Sequence, residues 1–283
     1  MLNLLRRFSR SQYRRRALWK VSFRNGVEFQ SVTATFNRLF ENLKSKQKTI
    51  YLRFGDGEVN LINGRSHKDQ KTSKEVVQEL KQSFALKGDG VIKGLPLHSD
   101  IFGTEEFMEE GVHWRKDDEV VRLLSGCFEY FIGTNIYSSV PIHYLMVYEK
   151  DLVISFLREI KAQSPIFVGG EHNSSSVIKD VIGATEFITV SDQSAYEDIA
   201  AVEKTLRSSI ASRGSDFTVV VFSCGVLAKA LSKRLWLASD LGTLYLFDLG
   251  SVIDVFHGRD GWTWVRKSGI SKAYLNEFIR QIS

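Results

Sequence analysis

The 283-residue chain predicts an α/β fold, a Rossmann-like, mostly parallel sheet flanked by helices. Two observations predict it. Short apolar runs alternate with stretches of helical periodicity, most regularly in the second half. The runs end in glycines or polar residues that open into the next helix, which is how parallel strands and crossover helices follow one another.

In chain order, residues 28–46 set Phe29, Val32, Phe36, Leu39, Phe40 and Leu43 on one helical face. Thr49 to Phe54 reads as a strand ending at Gly55-Asp56-Gly57, and residues 73–86 read as a helix. Val91 to Pro96 is a strand entering a loop. Tyr130 to Thr134 is a strand candidate leading into the loop Asn135 to Pro141. Pro165 to Val168 is a buried-type strand closed by Gly169-Gly170, with a helix near Ser174–Ile182. Glu186–Val190 is a strand, and a long helix covers about 195–212. Phe217 to Ser223 is the strongest strand; it ends at Cys224-Gly225 and opens into a helix with Val226, Leu227, Ala230, Leu231 and Leu235. Thr243–Phe247 is the last strand, ending at Asp248-Leu249-Gly250. The chain divides into a basic segment, 1–25, and one large domain, 26–283.

Composition narrows the class. At 43% hydrophobic and 25% charged the chain matches an ordinary globular protein, with no low-complexity tract. No apolar run reaches membrane-spanning length and no signal peptide is recognisable, so a cytoplasmic location is expected. Cys127 and Cys224 lie far apart among apolar residues, outside any zinc spacing, and are expected as buried free thiols. Much of the net charge of +5 sits in Arg6, Arg7, Arg10, Arg14, Arg15, Arg16, Lys20 and Arg24, mixed with Leu4, Leu5, Phe8, Leu18 and Trp19. Two readings stand: peripheral docking on the anionic inner face of the cell membrane, or a solvated basic helix packed on the main domain. Nucleic acid is not an expected partner, since no fold presenting stacking aromatics is evident.

Ligands of open α/β sheets collect beyond the carboxyl ends of the strands. Four strand ends here carry suggestive loops. In Arg53-Phe54-Gly55-Asp56-Gly57-Glu58 the glycines permit a sharp turn, and Asp56 and Glu58 form a carboxylate pair suited to a hard divalent cation, Mn2+ or Mg2+. Arg53 offers a phosphate contact or a lock on a carboxylate. The alternative is a tight turn with Asp56 capping the helix. The second loop, Gly169-Gly170-Glu171-His172-Asn173 to Ser176, suits an anion at a helix start, with His172 as a base or ligand; a plain turn with a solvated His is the competing reading. The third, Ser223-Cys224-Gly225, presents backbone N–H groups to a phosphate or ribose. In the fourth, Asp248 before Gly250 and Asp254 suits a sugar or ribose hydroxyl, or a cap. Gln70, Asn135, Ser191, Asp192 and Tyr196 are further polar candidates.

The segment Tyr51-Leu52-Arg53-Phe54-Gly55-Asp56-Gly57-Glu58-Val59-Asn60-Leu61-Ile62 resembles the signature of bacterial glycosyltransferases of the GT-D fold, long catalogued as a domain of unknown function. Its pattern is an RFGDGE loop whose Asp-x-Glu binds metal and nucleotide-sugar. Gln70, Gly94-Leu95-Pro96, the Asn135 to Pro141 loop, Val168-Gly169-Gly170-Glu171, Ser223-Cys224-Gly225, Asp248-Leu249-Gly250 and Asp254 follow in matching order over roughly residues 27 to 257. Val140 and Gly169 depart from it, standing where the family has Arg and an acid.

The resemblance implies a metal-dependent transfer from a nucleotide-sugar, a UDP-sugar first, to a glycan acceptor of surface polysaccharide or glycoprotein, which such enzymes often take lipid-linked. It assigns metal and nucleotide-sugar to Asp56 and Glu58, and the candidate base His172, read from the second loop, joins these two as the expected catalytic residues. With the strand-end loops, the residues expected at the donor are Arg53, Gly55, Gly57, Gln70, Gly169, Gly170, Glu171, Ser223, Gly225, Asp248 and Gly250, and those expected at the acceptor are Asn135 and Asp254. Two other classes stand beside it: a metal-dependent phosphoesterase and a non-catalytic nucleotide- or membrane-binding module.

Overall fold

The computed structural model describes residues 26–65, 72–95, 128–259, 265 and 270–282. Within them the chain forms strands β1 (Glu28–Phe29), β2 (Thr49–Arg53), β3 (Val91–Leu95), β4 (Asn135–Ser138), β5 (Ile166–Gly170), β6 (Glu186–Val190), β7 (Phe217–Ser223) and β8 (Thr243–Asp248). The helices are α1 (Val32–Lys44), α2 (Asp56–Ile62), α3 (Lys74–Phe84), α4 (Pro141–Tyr148), α5 (Lys150–Ala162), α6 (Ser175–Ile182), α7 (Ile199–Ser212), α8 (Val226–Leu237), α9 (Val252–Phe256) and α10 (Lys272–Ile282).

All eight strands join one sheet in the order β1-β4-β3-β2-β8-β7-β5-β6, and each pairing is parallel. A sheet covered on both faces needs apolar residues at odd and even positions alike, and the central strands supply them. Ile50, Leu52, Ile166, Val168, Val220, Phe222, Leu244 and Leu246 face α2, α3, α7 and α8. Tyr51, Phe167, Val219, Val221, Tyr245 and Phe247 face the other layer, α1, α4, α5, α6, α9 and α10. Among the described residues no helix is long and apolar enough to cross a membrane.

Because every strand runs the same way, the sheet has one edge of strand starts and one of strand ends. The chain crosses from β7 to β8 on one side and from β5 to β6 on the other, although β7 and β5 are neighbours. The loops beyond them diverge, and a switch point of this kind is where ligands of open α/β sheets collect.

The α/β class and most elements match the sequence reading. One strand is displaced. Phe128–Tyr130 is a 3-10 turn, and β4 begins at Asn135, where a loop was expected. The aromatic run at Tyr130-Phe131 has strand-like composition, but Phe131 packs on Phe84 of α3 and helps cover the sheet rather than extend it. Residues 28 and 29, expected at the head of a helix, form the edge strand β1, and Ser31 caps α1 behind them.

Candidate active site

The RFGDGE loop turns directly from β2 into α2. Gly55 is the N-cap, and the Glu58 carboxylate reaches back to accept its backbone N–H at 2.8 Å. This is the reach-back half of a capping box, which needs an acid three residues into the helix. The other Glu58 oxygen lies 2.8 Å from the Lys229 ammonium, on the first turns of α8. Lys229 also pairs with Asp248 at the end of β8, again at 2.8 Å, and donates to the Gly225 carbonyl at 3.1 Å. Three strand ends, those of β2, β7 and β8, are thus fastened by one buried ammonium.

Lys229 is only 4% exposed and Asp248 1%. Burial alone favours the neutral amine, but Asp248 and Glu58 outweigh it and raise the Lys229 pKa. Burial likewise disfavours the Glu58 carboxylate, yet the ammonium and the Gly55 N–H overcome that and hold its pKa below the usual range. Beyond the ammonium, the Asp248 carboxylate has no hydrogen-bond partner among the described residues. Two carboxylates against one ammonium leave the cluster with one surplus negative charge.

A second cluster lies beyond β5. His172 Nδ1 sits 2.5 Å from Asp192, just past β6, and its Nε2 sits 3.0 Å from Asp254 on α9. The ring is held at both nitrogens, so its plane and position are fixed. Gly170 makes room for it: a Cβ there would stand 2.1 Å from the Asp192 oxygen and 2.7 Å from the ring. His257 accepts the Ser174 N–H at 2.7 Å while its Nδ1 faces the Ile253 carbonyl, which ties α9 to the start of α6. That N–H, expected to face an anion, is already satisfied. Both amide atoms of Asn173 are buried with no hydrogen-bond partner among the described residues.

Several expected ligand contacts prove to be internal braces. Arg53 donates to the carbonyls of Ser139 at 2.5 Å and Leu249 at 2.8 Å, and its remaining nitrogen lies 3.3 Å from His143. Gly250 lets the guanidinium pass, since a Cβ would fall 1.7 Å from Arg53 Nη1. Ser223 donates to the Gly250 carbonyl at 3.0 Å. Arg53 and Ser223 therefore fix the loop after β8 from its two neighbouring strands. Gly225 turns the chain at φ +54° with open space where a Cβ would stand, so a substitution there strains the backbone whether or not a ligand is near. Glu171 is exposed. Asn135, expected at the acceptor, opens β4 and accepts from Gln30 at 2.7 Å, on the amino edge of the sheet. It belongs to the wall of a different cavity, of about 680 Å³, with Arg38, Asp89, Lys93 and Tyr137. Gln70, the Asp56 side chain and residues 1–25 lie outside the described residues.

Comparison with known proteins decides the family. The profile of the glycosyltransferase GT-D fold matches residues 51–276. The chain belongs to the GT-D glycosyltransferase fold family. Solved GT-D relatives agree in architecture. A glycosyltransferase from Streptococcus sanguinis, of domain of unknown function 1792, is 17% identical with a TM-score of 0.57, over 82% of this chain and 85% of that one. A structure described as showing that this highly conserved domain has a distinct glycosyltransferase fold is 15% identical with a TM-score of 0.58, over 86% of each chain. At these identities the likeness speaks for the fold. A comparison with curated proteins finds no match.

The GT-D motif suggests a divalent cation on Asp56 and Glu58; of the two, only the Glu58 side chain is among the described residues. Glu58 has one oxygen on Lys229 and the other on the Gly55 N–H. Among the described residues no three His, Cys, Asp or Glu side chains converge.

Proposed function

We propose that this chain transfers a sugar from a nucleotide-sugar donor to a hydroxyl of a glycan acceptor, with UDP-sugars the first donors to try. The observation that carries the reading is the carboxyl edge of a GT-D sheet, which bears both a buried charge cluster and a histidine held between two carboxylates. In the reaction the acceptor oxygen bonds to the anomeric carbon, the bond from that carbon to the phosphate oxygen breaks, and the nucleoside diphosphate leaves. The acceptor proton must go to a base on the protein.

His172 is the base this edge offers. Nδ1 donating to Asp192 fixes the tautomer, and the proton taken from the acceptor is carried by the Nε2–Asp254 pair, which face each other at 3.0 Å. Asp254, against Nε2, steadies the imidazolium that results. Asp192 thus acts as a positioning residue. Sequence reading placed it merely near a strand end; its pairing with His172 depends on β5 and β6 lying side by side. The basic segment 1–25 is proposed to hold the enzyme on an anionic membrane face, where a lipid-linked acceptor would be presented.

The test is nucleotide release from a panel of UDP-, GDP-, dTDP- and CMP-sugars, with and without glycan acceptors and Mn2+. Acceptor-dependent release with one nucleotide supports transfer. Release at the same rate without acceptor points to hydrolysis and rejects it.

A further inference from the structure

The Asp-x-Glu pair is read in this family as a place for a divalent cation. In this chain Glu58 already has a cation. Its two oxygens are used, one by an ammonium at 2.8 Å and one by a backbone N–H at 2.8 Å. Lys229 reaches the same position from α8 and touches the second acid of the edge, Asp248, at 2.8 Å. Glu58, Asp248 and the Gly225 carbonyl therefore present three oxygens to one positive centre, as hard-cation ligands would. The centre is nitrogen, supplied by the protein itself.

The surroundings support this as a built arrangement. α8 is buried along most of its length, and Val226, Leu227, Ala228, Ala230 and Leu231 flank Lys229. A lysine is kept in such a place only with good partners, because an unpaired buried charge is heavily penalised. One turn on, Lys233 repeats the device with Glu79 and Gln82 on α3.

We propose that Lys229 is the resident cation of the RFGDGE site and that Glu58 is a positioning residue, not a ligand of Mn2+ or Mg2+. Glu58 then serves to fix the β2–α2 turn against β8, and any metal accompanying the donor is held without it. The inference concerns the same site as the proposed transfer, but its test reads metal without substrate, so a failure of transfer leaves it intact.

The experiment is a Mn2+ titration of the full chain, followed by electron paramagnetic resonance, for the wild type, Glu58→Gln and Lys229→Ala. Gln can still accept the Gly55 N–H, and Lys229 keeps Asp248, so Glu58→Gln retains the local structure. We expect its Mn2+ affinity to match the wild type's, including the case where neither binds. A fall of about tenfold or more, the scale of losing a group that organises a metal site, overturns the proposal. Lys229→Ala vacates the cation position between two acids. Mn2+ should raise its melting temperature more than the wild type's, an effect that loss of a purely structural lysine would not produce. An equal shift in both proteins, or none in either, overturns the proposal as well. If Lys229→Ala does not fold even with Mn2+, the Glu58→Gln titration decides alone.

Discussion

Lys229 and Lys93 are both buried against the same sheet, yet the protein answers their charges in opposite ways. Lys229, at the carboxyl edge, is met by two carboxylates, and its pKa is raised. Lys93, on β3, forms no ion pair with an acid among the described residues. Its ammonium donates to the carbonyls of Phe84 at 2.9 Å, Leu86 at 2.6 Å and Ile132, and lies 4.1 Å from the Phe131 ring centroid. Burial pulls its pKa down to about 7. Formal charge on the ligands separates the two. Full negative charges compensate the lost hydration of an ammonium, whereas carbonyl dipoles do so only in part. The carboxyl edge is built to keep ions in place; the amino edge uses a lysine as a hydrogen-bond hub for the turn after α3.

The sharpest way to break this contrast is to ask which edge does chemistry. His172→Gln should lower turnover by about 10²–10⁴-fold, the usual worth of a positioned general base, with the melting temperature little changed. Asn135→Ala, at the amino edge, should leave turnover essentially at wild type. Comparable losses in the two variants would erase the division between the edges.

Next in size is the loss of the counter-ion. Lys229→Ala leaves Glu58 and Asp248 as neighbouring buried acids without compensation. Removing one partner from a buried ion pair costs about 3–5 kcal/mol, and urea unfolding should show a loss of that order without added metal. A loss under about 1 kcal/mol, the worth of an exposed pair, would mean that water reaches the cluster.

The smallest effect concerns pH. Lysine in the unfolded chain titrates near about 10.4. Lys93 in the folded chain titrates at about 7. Between these values the unfolded state binds more protons, so this group makes stability rise with pH, by at most about 1.4 kcal/mol per unit. Lys229 gives no slope in that window: its folded pKa is raised, so its contribution is complete below the unfolded value and fades only above it. Unfolding free energies at pH 7 and pH 9 should therefore rise in the wild type and rise less in Lys93→Met. Equal rises in both proteins would show that Lys93 keeps its proton throughout.

The two edges also differ in how far they could be read beforehand. β2, β5, β7 and β8 are legible because apolar runs end at or just before glycines. What those ends do was harder. Arg53 and Ser223 look like ligand contacts in sequence because nothing local reveals carbonyls contributed by Leu249 and Gly250. Lys229 escaped notice for the converse reason: a lysine in a helix reads as solvated. Its signal was the apolar run on both sides, which leaves no polar stripe for it. The strand position shifts by one element: the strand-like aromatics form a turn, and Asn135, in an expected loop, opens β4.

The order of strands carries a consequence for the birth of the enzyme. β8 lies between β2 and β7, and Arg53 grips the carbonyl of a residue 196 positions later. Until that last strand has left the ribosome, β2 has no neighbour on that side, Glu58 lacks the β8 acid that shares its lysine, and the two halves of the sheet are separate pieces. Contacts so distant in sequence form late and slowly, with loop closure preceding any reward. The charge cluster is thus a seal set only once β8 has emerged, and a nascent chain halted before residue 243 would have an unpaired edge on β2 where that cluster forms.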